Sequence, residues 1–63
     1  MGNPRDIRKA ARVSQLVVAA ATGTSLPTVS KYEANPAAVA PDRRAALDPY
    51  YAQLAARTEA SSQ

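Results

Sequence analysis

The sequence predicts an all-α domain of four to five short helices, and three observations predict it. Ser14, Ser25 and Asp48 each stand immediately before a run of helix formers, where a side-chain oxygen can accept a free N–H of the first turn. Stop signals follow at fitting intervals, Gly23 after one run and Asn35-Pro36 after the next, because glycine adopts left-handed backbone at no cost and a residue before proline is pushed to extended geometry. Alanine, the residue with the highest helix propensity, supplies much of the apolar content, which is 46% of 63 residues.

The elements follow in order. Pro4 to Ala11 reads as a basic first helix, since a proline in the first turn removes only an N–H that would be unpaired there. Ser14 caps a second helix from Gln15 to Thr22, with Val13 and Val18 at the spacing of a hydrophobic staple. Gly23 closes that helix and Ser25 opens a third, Leu26 to Ala34, with Pro27 confined to its first turn. Two helices joined by Thr22-Gly23-Thr24-Ser25 describe a tight helix-turn-helix unit. Asn35 to Ala40 reads as a loop, Pro41 to Leu47 as a short fourth helix, and Asp48-Pro49 as the cap and first position of a fifth helix ending near Ala60. Ser61, Ser62 and Gln63 are expected to fray.

Composition narrows the chemistry. A chain of this length is one domain and has no room for an enclosed catalytic cavity. It has no cysteine, no histidine and one methionine, so there is no disulfide framework, no zinc-ligand spacing and no nucleophile paired with an imidazole base. Its five carboxylates form no clustered pair and no glycine-rich phosphate loop is present, so no enzyme, cofactor, metal or small-molecule ligand is expected. No apolar run suggests a membrane span, and the charged start does not read as a secretory signal. Eight basic residues give a net charge of +3, which suits a polyanionic partner without requiring one.

The run Val13-Ser14-Gln15 through Val18-Ala19, then Gly23-Thr24-Ser25, then Thr28-Val29-Ser30-Lys31-Tyr32-Glu33, resembles the lambda-repressor-like, Xre-type helix-turn-helix family. The family pattern has Gln opening the second helix, Ala in its second turn, Gly at the bend and Glu ending the third helix; Gln15, Ala19, Gly23 and Glu33 stand at those places. The resemblance implies a sequence-specific reader of double-stranded DNA, a repressor-like transcriptional regulator in the cytoplasm of a bacterial or phage-type system, associated with the nucleoid. It also implies an ion pair between Arg8 of the first helix and Glu33. The chain departs from the pattern at Leu16 and Val17, where polar residues are usual, at Leu26 and Pro27, which occupy base-reading positions, and after Glu33, where Asn35-Pro36 replaces the usual glycine. Beyond Pro36 the match is loose.

On the third helix, a 3.6-residue period turns Val29 and Tyr32 inward and Pro27, Ser30, Lys31 and Ala34 outward. Lys31 is the strong donor for a guanine edge, Ser30 offers a hydroxyl, and Leu26 and Pro27 suit thymine methyls. Gln15, Thr28, Arg43 and Arg44 are the expected phosphate contacts, while at least one of Arg5, Lys9 and Arg12 on the first helix is expected to be a bystander. Tyr50, Tyr51 and Leu54 form a cluster on the last helix, with one tyrosine covering the core and the cluster a candidate homodimer contact. Leu16, Val17 and Leu26 support a rival reading, in which the same scaffold binds a transcription-related protein instead of DNA.

Overall fold

A computed structural model describes residues 3–61, and the side chains up to Thr58. The described chain is all helical: α1 (Pro4–Ala10), α2 (Gln15–Thr22), α3 (Leu26–Ala34), a 3-10 turn (Pro36–Ala38) and α4 (Pro41–Ser61). The fraying expected of Ser62 and Gln63 lies outside the described residues, and Ser61 is the last residue of α4.

Each of the first three helices is capped by its own sequence. Asn3 Oδ1 accepts from the Asp6 N–H at 3.0 Å, Ser14 Oγ from Val17 N–H at 3.2 Å and Ser25 Oγ from Thr28 N–H at 3.4 Å. Gly23 ends α2 at φ 68° with nothing near the place a Cβ would occupy, so the backbone angle, not space, selects glycine there. Its left-handed turn lets the Thr24 N–H reach the Ala19 carbonyl at 3.0 Å.

The end of α1 is built the same way with a less suitable residue. Arg12 sits at φ 59°, with its N–H on the Lys9 carbonyl at 3.0 Å and the Val13 N–H on the Arg8 carbonyl at 3.2 Å, a Schellman closure. Left-handed backbone brings a Cβ against the neighbouring carbonyl, at a cost of about 1–2 kcal/mol that glycine escapes. Glycine also loses more freedom on folding, which offsets part of the gain. Arg12→Gly is therefore expected to stabilise the domain by about 0.5–1 kcal/mol. A denaturant midpoint that falls in this variant would contradict the account.

The core is a single cluster in which Val18 and Ala19 of α2 and Val29 and Tyr32 of α3 meet Val39, Leu47 and Tyr51, with Ile7, Val13 and Tyr50 packed on its edge. Leu54 is fully buried as well. Val13 and Val18 thus both reach the apolar side of the α2 entry, at staple spacing. Among the described residues no helix is long and apolar enough to cross a membrane.

Two expectations need correction. Among the described residues there is no fifth α-helix: α4 runs unbroken from Pro41 to Ser61 with Pro49 inside it. Asp48 does not cap a new start; its carboxylate accepts from the Tyr32 hydroxyl. The reason is tertiary. Leu47, Tyr51 and Leu54 are buried on one stripe at helical spacing, and that stripe stays aligned only if the helix continues through the proline. For the same reason Tyr51 and Leu54 offer no surface for the expected dimer contact. At 3% and 0% exposure they belong to the core, and Tyr50, half-buried on its edge, is the one member of the cluster with surface to offer. A domain this small has few large side chains, so its core needs both residues.

Candidate nucleic-acid interface

The site begins with how α3 is held. Val29 and Tyr32 are buried, and the Tyr32 ring lies 5.1 Å from that of Tyr51 at a tilt of 40°. Its hydroxyl is fixed by Asp48 of α4. Burial, then the hydrogen bond to Asp48, pushes the Tyr32 phenol well above the ordinary tyrosine range.

The C-terminal end of α3 is held by a single carboxylate. Arg8 Nε and Nη2 of α1 donate to Glu33 at 2.5 and 3.2 Å, in a fork that suits the planar guanidinium. Gln15 of α2 donates to it at 3.1 Å and the Tyr51 hydroxyl of α4 at 2.6 Å. Glu33 on α3 therefore ties together all four helices. Arg8 also donates Nη1 to the Val13 carbonyl at 3.0 Å. The two side chains are only 12% and 4% exposed, so the pair is partly buried, where it lines a groove beside α3. Burial works against the Glu33 charge, but the donors outweigh it and hold the carboxyl below its ordinary range. The same contact with Glu33 raises Arg8, while burial and then the bond to Glu33 raise Tyr51.

With its back fixed in this way, α3 presents Leu26, Pro27, Ser30 and Lys31 to solvent, all exposed. These are the residues expected to read bases, and they share the outer side of one short, anchored helix. The expected phosphate contacts are more scattered. Arg43 is exposed at the start of α4. Arg44 is half-buried and its Nε is enclosed without a hydrogen-bond partner. Thr28 shares a hydrogen bond with Ser25 Oγ at 2.8 Å. Gln15 is half-buried, and its amide nitrogen is engaged by Glu33; it acts first as a structural donor, which leaves its carbonyl oxygen and backbone N–H for other partners.

Beside the outer side of α3 lies an open groove of about 420 Å³. Arg5 and Lys9 of α1 line it opposite Ser30 and Ala34 of α3, with the Arg8–Glu33 pair and Gln15 also contributing. Arg12 is elsewhere, lining a separate notch with Arg57 and Thr58. Of the three cations expected to include a bystander, Arg12 is the one set apart; it lies just past α1, its left-handed backbone separates it from Arg5 and Lys9, and no pattern of residue types announces it. Reasoning from the chain also did not find Tyr51 and Gln15 as partners of Glu33, because both contacts depend on how α2 and α4 dock. Leu16, Val17 and Leu26 remain uncovered, at 68%, 51% and 45% exposure. Among the described residues no group of histidine, cysteine, aspartate or glutamate is placed to hold a metal ion. Comparison with known proteins matches no family model, no curated protein and no solved structure.

Proposed function

We propose that this chain is a sequence-specific double-stranded DNA-binding protein of lambda-repressor-like, Xre-type build, a repressor-like transcriptional regulator that inserts α3 into the major groove. The observation that carries the proposal is the division of α3. Its inner residues Val29, Tyr32 and Glu33 are anchored to the other helices, while Leu26, Pro27, Ser30 and Lys31 stand exposed on the outer side. A rigid helix with a free outer side fits the major groove, where lysine and serine meet base edges and apolar groups meet thymine methyls. The net charge of +3 supports the phosphate contacts that such binding needs. A cytoplasmic, nucleoid-associated location follows from this reading.

The set of base readers contains one strong donor, Lys31, so direct readout is concentrated there. Lys31→Ala is expected to cost about 1–3 kcal/mol on the preferred duplex and to relax selectivity at one base pair. Mobility shifts on a randomised duplex pool, followed by sequencing of the bound fraction, measure both. An equal loss on every sequence would make Lys31 a phosphate contact. Binding as a homodimer to two half-sites belongs to the same proposal, but its contact has to be made without Tyr51 and Leu54, which are buried.

A second reading draws on the exposure of Leu16, Val17 and Leu26: the scaffold binds a protein through this apolar surface. No shift of any duplex at low salt, with the outer residues of α3 unaltered, would favour that reading over DNA.

A further inference from the structure

Arg5 and Lys9 of α1 and Arg12 just past its end lie near one another in sequence, yet the fold sends them to two places. Arg5 and Lys9 face the groove that Ser30 and Ala34 of α3 close on the other side, whereas Arg12 turns to the notch shared with Arg57. We propose that Arg5 and Lys9 form a seat for one or two backbone phosphates of the bound duplex, an anchor supplied by α1 beside the reading helix. The inference rests on the DNA-binding reading of α3 and adds to it residues that the reading unit does not contain.

Charge in the groove supports the seat. The Arg8–Glu33 pair forms part of its lining, and there the two charges cancel while four donor groups occupy the carboxylate. Arg5 and Lys9 are exposed and make no ion pair among the described residues, so they set the sign of the groove. Their spacing adds a second argument. Residues four apart lie on the same side of a helix, and like charges there repel. Among the described residues no ion pair offsets this repulsion in the free fold, and an anion between the two side chains relieves it. Position supplies the third argument. Because Ser30 lines the groove and also belongs to the exposed side of α3, a duplex whose bases meet α3 brings a strand of its backbone past the groove mouth. Ser30 can then donate its hydroxyl to the same strand that Arg5 and Lys9 neutralise.

The test is the salt dependence of duplex binding by the full chain and by Arg5→Ala, Lys9→Ala, the double variant and Arg57→Ala. Each phosphate contact contributes about 0.9 to the slope of log affinity against log salt. The double variant is expected to lower the slope by about 0.9 if the two cations share one phosphate and by about twice that if each holds its own. Each single variant is expected to lower it by up to about 0.9, with equal losses on preferred and random duplexes. Arg57→Ala, which removes the same charge from the far notch, is expected to leave the slope unchanged. Both seat residues are exposed and outside the core, so unaltered helical circular dichroism checks that the variants fold. A double variant with the wild-type slope overturns the seat, as does an Arg57→Ala slope reduced as much as that of Arg5→Ala, because then only total charge matters. Absence of wild-type binding to any duplex at low salt removes the DNA reading itself and the seat with it, a result distinct from binding with an unaltered slope.

Discussion

Replacing Glu33 by leucine is expected to destabilise the domain by about 3 kcal/mol, the lower end of the range seen when one partner of a buried pair is removed, because this pair is partly buried. A single core in a chain this short rarely supplies more than about 3–5 kcal/mol, so Glu33→Leu should lose most of the domain's stability. The size of the effect follows from the number of groups stranded. Without the carboxylate, the Arg8 guanidinium, the Gln15 amide and the Tyr51 hydroxyl lose their acceptor together. Arg8→Met should cost less, because Tyr51 and Gln15 still donate to Glu33. The double variant Arg8→Met with Glu33→Leu should be more stable than the sum of the single costs implies, by about 0.5–3 kcal/mol. Unfolding in urea measures all three, and strict additivity would mean that the contact carries no energy of its own.

The same contact fixes how stability responds to pH. The carboxyl of Glu33 is held below its ordinary range in the fold, so its contribution is present above the unfolded value of about 4.3 and is lost as pH falls through the folded value. Tyr32 and Tyr51 are raised; their contribution is present below about 10 and is lost as pH rises through the folded values. Stability should therefore be flat between these limits and fall on both sides. Tyr51→Phe should weaken the alkaline fall, and a wild-type alkaline limb that does not move in that variant would detach Tyr51 from the network.

What could be read from the chain and what could not differ in physical kind. The caps at Ser14 and Ser25, the glycine at Gly23 and the stop before Pro36 act within a few residues of themselves, and α2 and α3 have the bounds those signals imply. The inner residues Val29 and Tyr32 follow from helical period alone, and so does the exposure of Ser30 and Lys31. Arg8 and Glu33 lie 25 residues apart, and the expectation that they pair came from the resemblance of the whole pattern, not from local chemistry. Contacts made by α4 were not legible. The bonds from Tyr51 to Glu33 and from Tyr32 to Asp48 need the long helix to be placed first, and a proline in its middle argues against that helix to any local reading.

Pro49→Ala is expected to stabilise the domain by about 2 kcal/mol. Proline inside a helix costs about 3 kcal/mol relative to alanine, because it withholds an N–H from the carbonyl four residues back and crowds it. Here that carbonyl belongs to Ala45, and Asp48 is also held helical against its preference before proline. Against this, proline restricts the unfolded chain and thereby favours the folded one by about 0.4–1 kcal/mol, which the alanine variant forfeits. The side chain of Pro49 is exposed, so little packing is lost and the difference of the two effects remains. If α4 were instead two helices meeting at Asp48, Pro49 would occupy a first-turn position where it costs almost nothing, and the alanine variant would be neutral or slightly less stable. Asp48→Ala separates the alternatives from the other side. In the continuous helix its loss leaves the Tyr32 hydroxyl without its acceptor at the back of α3, so stability and duplex affinity should fall together. In a broken helix the loss would be that of a cap alone, confined to stability. Urea midpoints of both variants, read beside their duplex affinities, decide between one helix and two: a neutral Pro49→Ala with normal affinity in Asp48→Ala would break α4 at the proline.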